Sequence, residues 1–200
     1  GIYSDGEVVD NMNTWTTVLL CLTLILAGCV SEETVSELQE EGGESPVAVV
    51  FPAWDGMDHT NTSRSINQFE NTSYLAYFSA PWCAHCESTL DAYDLVIPEE
   101  KLVVFSRESR EEYANMSEWH NTTEQNLNRT FNRPFILHPD LAMEVEAKSI
   151  PHAVFVNHQG YVYHVEIGKE TNQTYIADLW NSVSNATFSP ETGWNTTTAV

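Results

Sequence analysis

Apolar and polar positions along the chain change period block by block, and the blocks predict strands and helices in turn. Residues 47–51 (VAVVF) form a short β-branched run, and DGMDHTNTS at 55–63 supplies turn chemistry. The compact apolar runs 74–79 (YLAYFS) and 102–106 (LVVFS) predict buried strands. Between them, 87–96 carries Leu90, Tyr93 and Leu95 at roughly helical spacing. Residues 110–131 are polar with scattered Tyr113, Met116, Trp119 and Leu127, which predicts one or two surface helices. A short helix is expected over 141–147, a strand over 153–156, a tight turn over 157–160 and an alternating hairpin partner over 161–167. A helix over 174–183 closes the domain, and 188–200 reads as a loose tail. Strands and helices that alternate before a terminal hairpin and helix argue for an α/β fold, a central mixed sheet flanked by helices.

The domain spans 47–187, and two different segments precede it. Residues 15–30 read WTTVLLCLTLILAGCV, shorter than the roughly 20 residues that cross a bilayer and suited to a signal-peptide core. The run ends in Leu26-Ala27-Gly28-Cys29, which resembles the lipobox of exported lipoproteins. That resemblance implies cleavage before Cys29 and lipid on its sulfur. No Lys or Arg precedes Arg64, so the usual positive start of a signal is missing, and an uncleaved anchor or a buried core helix are the other readings of 1–30. Residues 31–46 hold six Glu and no basic residue, and their self-repulsion predicts an extended tether.

Charge and asparagine usage narrow the compartment. With 29 acidic residues against 8 basic ones the net charge is −21, which repels nucleic acid and anionic lipid surfaces. Eight of the fifteen Asn (61, 71, 115, 121, 128, 172, 185 and 195) open an Asn-x-Ser/Thr triplet. The Ser and Thr content predicts roughly 2.6 by chance, and the excess favours a glycosylated, exported surface.

Four cysteines are too few to staple a scaffold. Cys21 and Cys29 lie in the apolar N-terminal run, while Cys83 and Cys86 are spaced C-x-x-C directly after a predicted strand. Where a strand gives way to a helix, unpaired N–H groups and the helix dipole stabilise a thiolate, which is the nucleophile in disulfide exchange. A second thiol one turn on can resolve a mixed disulfide. The same spacing also makes half a zinc site, and no second C-x-x-C completes it.

The segment Phe78-Ser79-Ala80-Pro81-Trp82-Cys83-Ala84-His85-Cys86 resembles the thioredoxin active site. Ser149-Ile150-Pro151-His152 resembles the family's cis-proline loop, and Arg133 to Asp140 (RPFILHPD) is similar to a segment of the TlpA-type branch, the membrane-tethered extracytoplasmic thioredoxins. Ala153 to Val162 resembles that branch's final hairpin. The resemblance implies a thioredoxin fold, Cys83 as attacking and Cys86 as resolving thiol, and a substrate cleft formed by Ile150, Pro151 and Trp82. It further implies no cofactor beyond the redox-active disulfide, and as partners substrate proteins with thiols or disulfides and a membrane thiol-disulfide transporter. Two departures stand out. The family's buried acid six residues before the first cysteine is Tyr77 here, and Ala84-His85 replaces the Gly-Pro of reducing thioredoxins. A His in this place resembles the DsbA-like oxidants, where it stabilises the thiolate.

These readings converge on a protein thiol-disulfide oxidoreductase, anchored to the cell membrane with its domain facing outside the cytoplasm. The other function classes are a copper chaperone holding metal between Cys83, Cys86 and a histidine, and a redox-inactive adhesion or assembly domain. His152 is expected near the sulfurs, where it tunes the site, binds a metal or faces solvent as a loop residue, and His59, His120, His138, His158 and His164 show no ligand spacing.

Overall fold

The computed structural model describes residues 46–196, so the signal or anchor segment with Cys29 and the tether up to 45 lie outside the described residues. In chain order the elements are β1 (Asp55–Met57), β2 (Ser63–Ser65), β3 (Tyr74–Ser79), α1 (Ala84–Asp94), β4 (Leu102–Ser106), α2 (Asn115–Leu127), β5 (Phe135–Leu137), α3 (Pro139–Glu144), β6 (His152–Val156), β7 (Val162–Ile167), α4 (Gln173–Asn185), β8 (Ala186–Ser189) and β9 (Gly193–Thr196). Five strands form one sheet in the order β5-β4-β3-β6-β7. β3, β4 and β5 run parallel, and β6 and β7 are antiparallel additions. The expected mixed sheet is therefore observed.

β3 is central and all six of its residues are buried, which is why it reads as a continuous apolar run rather than an alternating one. Leu75 and Tyr77 pack with Leu90 and Tyr93 of α1 and with Ile176 and Val183 of α4. Tyr74, Ala76 and Phe78 pack on the other face with Phe51, Trp54, Phe69 and with Leu141 of α3. Each large side chain so buried contributes roughly 1.5–3 kcal/mol. α3 starts at Pro139, whose missing N–H costs nothing in a first turn, and the His138 ring accepts from Leu141 N at 3.2 Å.

Two local expectations differ from the structure. Residues 47–51 do not join the sheet as a strand; Val50 makes a single bridge to Tyr161, and Phe51 buries its ring in the core. The turn chemistry expected over 55–63 is observed and closes the β1–β2 hairpin: the Asp58 carboxylate accepts from Thr60 N, Thr62 N and Arg64 Nε. The tail expected from 188 onward is corrected: β8 and β9 pair as a hairpin through residue 196. Phe188 and Trp194 close on each other (5.4 Å) and on Tyr161, and Gln159 exchanges two hydrogen bonds with the Phe188 backbone. Among the described residues no helix is long and apolar enough to cross a membrane.

Candidate redox site

β3 ends at Ser79, and a short turn delivers the chain into α1 at Cys83. Cys83 is the N-cap of α1, with extended backbone (φ −87°, ψ 96°), so it stands at the positive end of the helix dipole. Cys86, one turn into the helix, is bonded to it as a disulfide, with Cα atoms 5.3 Å apart. Cys86 is buried at 2% exposure and Cys83 is partly exposed, so Cys83 is the more accessible of the two.

The facing loop ends at the start of β6. His152 pairs with Phe78 near the end of β3, which brings the Ile150–Pro151 bond to the sheet end that carries the cysteines. That bond is cis, Pro151 is buried, and its carbonyl accepts from Gly168 N at 2.8 Å. Trp82 is 61% exposed and Ile150 half-buried, leaving apolar surface at this end. The Trp82 indole donates to Glu108 at 3.2 Å, and Glu108 also pairs with Arg110 at 2.7 Å. Hydrogen bonds from the Arg110 side chain and backbone, then from Trp82, hold the Glu108 carboxyl down at about 2. Glu108 was not predicted from the sequence, because 26 positions separate it from Trp82.

No protein-family model and no curated protein matches the chain. Solved structures do. A thioredoxin-family thiol:disulfide interchange protein from Chlorobium tepidum shares 16% identity at a TM-score of 0.55, covering 68% of this chain and 97% of that one. MTB dsbF shares 13% identity at 0.52, covering 66% and 95%. The pneumococcal exposed lipoprotein thioredoxin of Streptococcus pneumoniae shares 15% at 0.50, covering 64% and 98%. The chain has the thioredoxin fold.

Within this thioredoxin fold Tyr77, six residues before Cys83, is fully buried, its hydroxyl donating to the Cys86 carbonyl at 2.7 Å. Burial, and then the neighbouring Tyr93, push its pKa well above the usual phenol value, so it keeps its proton at neutral pH. His85 is exposed; its carbonyl accepts from Ser88 and Thr89, and its ring makes no hydrogen bond among the described residues. His152 is not the solvent-facing loop residue that one expectation allowed. It opens β6 at 3% exposure, edge-on to Phe78, with neither ring nitrogen bonded. Burial and then Arg107 lower its pKa, keeping the ring neutral.

A cavity of about 620 Å³ lies at the opposite end of the sheet, where β4 begins. His59 and His120 line it, stacked 3.8 Å apart, although 61 positions separate them and neither showed ligand spacing. Among the described residues no three His, Cys, Asp or Glu side chains group to hold a metal ion.

Proposed function

We propose that this chain is a protein thiol-disulfide oxidoreductase working outside the cytoplasm. The observation that carries this reading is the asymmetric pair: Cys83 accessible at a helix N-terminus, Cys86 buried behind it. In the oxidising direction a substrate thiolate attacks the Cys83 sulfur. The Cys83–Cys86 bond breaks and its electron pair leaves on Cys86. A second substrate thiolate then attacks the substrate sulfur of the mixed disulfide and expels Cys83 as thiolate. The reducing direction runs the same steps backwards. The exposed faces of Trp82 and Ile150 receive an extended substrate segment beside Pro151, and no cofactor beyond the disulfide takes part.

The domain is carried outside the membrane by residues 1–30, with Cys29 lipidated, and a membrane thiol-disulfide transporter renews its redox state. The acidic stretch 31–46 spaces the domain from that surface.

The test is capture of intermediates by the full chain. Cys86→Ser accumulates mixed disulfides through Cys83, because the built-in thiol that resolves them in the reducing direction is gone, and Cys83→Ser accumulates none. If neither variant captures a protein and the wild type does not turn over a model disulfide, the exchange reading fails. The copper-chaperone reading then takes its place.

A further inference from the structure

Disulfide exchange has no use for eight Asn-x-Ser/Thr triplets, and the structure sorts them. Some of the asparagines have backbone reasons of their own. Asn61, Asn71 and Asn128 hold φ of 65°, 55° and 51°, a left-handed conformation that Asn tolerates better than most residues. Asn172 caps α4, its Oδ1 accepting from Thr174 N and Tyr175 N. Neither reason calls for a hydroxyl two residues further on.

In three triplets the fold uses that hydroxyl. Ser73 Oγ donates to the Val183 carbonyl, Ser117 Oγ to the His59 carbonyl and Thr123 Oγ1 to the Trp119 carbonyl. The triplets at Asn71, Asn115 and Asn121 are thereby explained by structure, and the last two also lie within α2. At Asn61, Asn128 and Asn172 the situation is reversed. Ser63, Thr130 and Thr174 are exposed, and among the described residues none of their hydroxyls makes a hydrogen bond. The three asparagines are exposed as well, and their Nδ2 atoms are unbonded among the described residues. All three stand where a triplet can be presented with little unwinding: the β1–β2 turn, the C-terminal end of α2 and the N-terminal end of α4. The Asn185 amide, by contrast, donates to the Asn181 carbonyl, and the triplet at Asn195 runs beyond the described residues.

We propose that Asn61, Asn128 and Asn172 are N-glycosylation sites. The donor is an oligosaccharide linked to a lipid phosphate or pyrophosphate. The Nδ2 atom bonds to the anomeric carbon of the first sugar, the carbon–oxygen bond to the lipid carrier breaks, and its electron pair leaves with the phosphate while the amide loses a proton. At Asn172 the cap survives, because the capping atom is Oδ1 and the modified atom is Nδ2. The free hydroxyl two residues on is what the transferring enzyme reads, and none of the three sites lies in the loops that carry Trp82, Glu108 or Ile150.

This inference rests on the extracytoplasmic placement proposed above, so both are measured on the same material. Full-length protein purified from its native cells is digested and each triplet is read by mass spectrometry, while intact cells are probed with external protease. Saccharide mass is expected on Asn61, Asn128 and Asn172 and not on Asn115 or Asn121. Thr130→Ala, which leaves Asn128 itself in place, is expected to lose the addition at 128 with disulfide turnover unchanged. Unmodified asparagines at all three positions, or additions confined to 115 and 121, overturn the assignment. If the unmodified domain is cleaved by external protease, glycosylation alone has failed; if it is protected, the placement has failed with it.

Discussion

Proton traffic at the cysteine pair is settled by a handful of side chains. Tyr77 is beneath Cys86 but holds its proton, so it cannot accept one from that thiol at neutral pH. In the proposed exchange the proton passes instead to solvent or to the departing substrate sulfur. Glu108 stays charged across the physiological range, and a nearby carboxylate disfavours a new thiolate. His85 lies between the cysteines in sequence with an uncommitted ring, and a ring N–H turned to the Cys83 sulfur acts in the opposite sense. Stabilising the thiolate stabilises the reduced form, with about 30 mV for each 1.4 kcal/mol. In reduced His85→Ala, thiolate absorbance is expected to set in at higher pH, by up to about one unit, and the reduction potential to fall. Superimposable titrations of wild type and variant would make His85 a bystander.

Among the elements, the joint between α1 and the strand edge at β5 depends on one buried cation. Arg133 is 3% exposed and donates to Asp94 Oδ1 at 2.6 Å. It also donates to the carbonyls of Asp94, Ile97, Pro98 and Glu99, at the C-terminal end of α1 and in the turn that follows it. Arg129 reaches Asp94 and Asp91 from the more exposed side. Removing one member of a buried, fully bonded pair costs about 3–5 kcal/mol, whereas a surface pair is worth about 0–1 kcal/mol. Urea unfolding of Arg133→Ala is expected to show the larger loss and Arg129→Ala a clearly smaller one. Equal losses would mean that the carbonyl bonds of Arg133 contribute little.

The molecule as a whole carries a pH-sensitive clasp far from its cysteines. His59 joins the β1–β2 turn to the sheet edge: its N–H donates to the Phe135 carbonyl, and its Nδ1 accepts from Phe135 N at 3.2 Å. The ring stacks on His120 of α2, whose Nε2 bonds the Phe131 carbonyl at 2.6 Å. Burial first, and then His120, lower the His59 pKa from 6.5 to about 4, against the weaker opposing pull of Asp58. Since the unfolded chain takes up this proton near 6.5 and the folded chain only near 4, the contribution to stability is complete above 6.5 and is lost as pH falls toward 4. Allowing for partial solvent access, the loss is about 2 kcal/mol. Unfolding midpoints between pH 7 and 4 should therefore fall more steeply for wild type than for His59→Gln. Parallel slopes would remove His59 from the acid response.

Features that fit within a short window of the chain were legible before any fold was known. The runs 74–79 and 102–106 announce strands because both faces of each are buried, and the strand-then-C-x-x-C order places Cys83 at a helix start. The family motifs added the facing Pro151 loop. Contacts between residues far apart in the chain, on which folding depends as much, leave no local trace. Nothing near Glu108 points to Trp82, and nothing near His59 points to His120. β5 has three residues after a proline, too short a run to stand out until β4 supplies its hydrogen-bonding edge. Residues 188–196 looked loose because Phe188 and Trp194 find their partners at Tyr161 and Gln159, which only the path of the folded chain brings alongside. The tertiary structure also decided which Asn-x-Ser/Thr hydroxyls the fold consumes, since a hydroxyl's partner is a carbonyl that sequence spacing does not name.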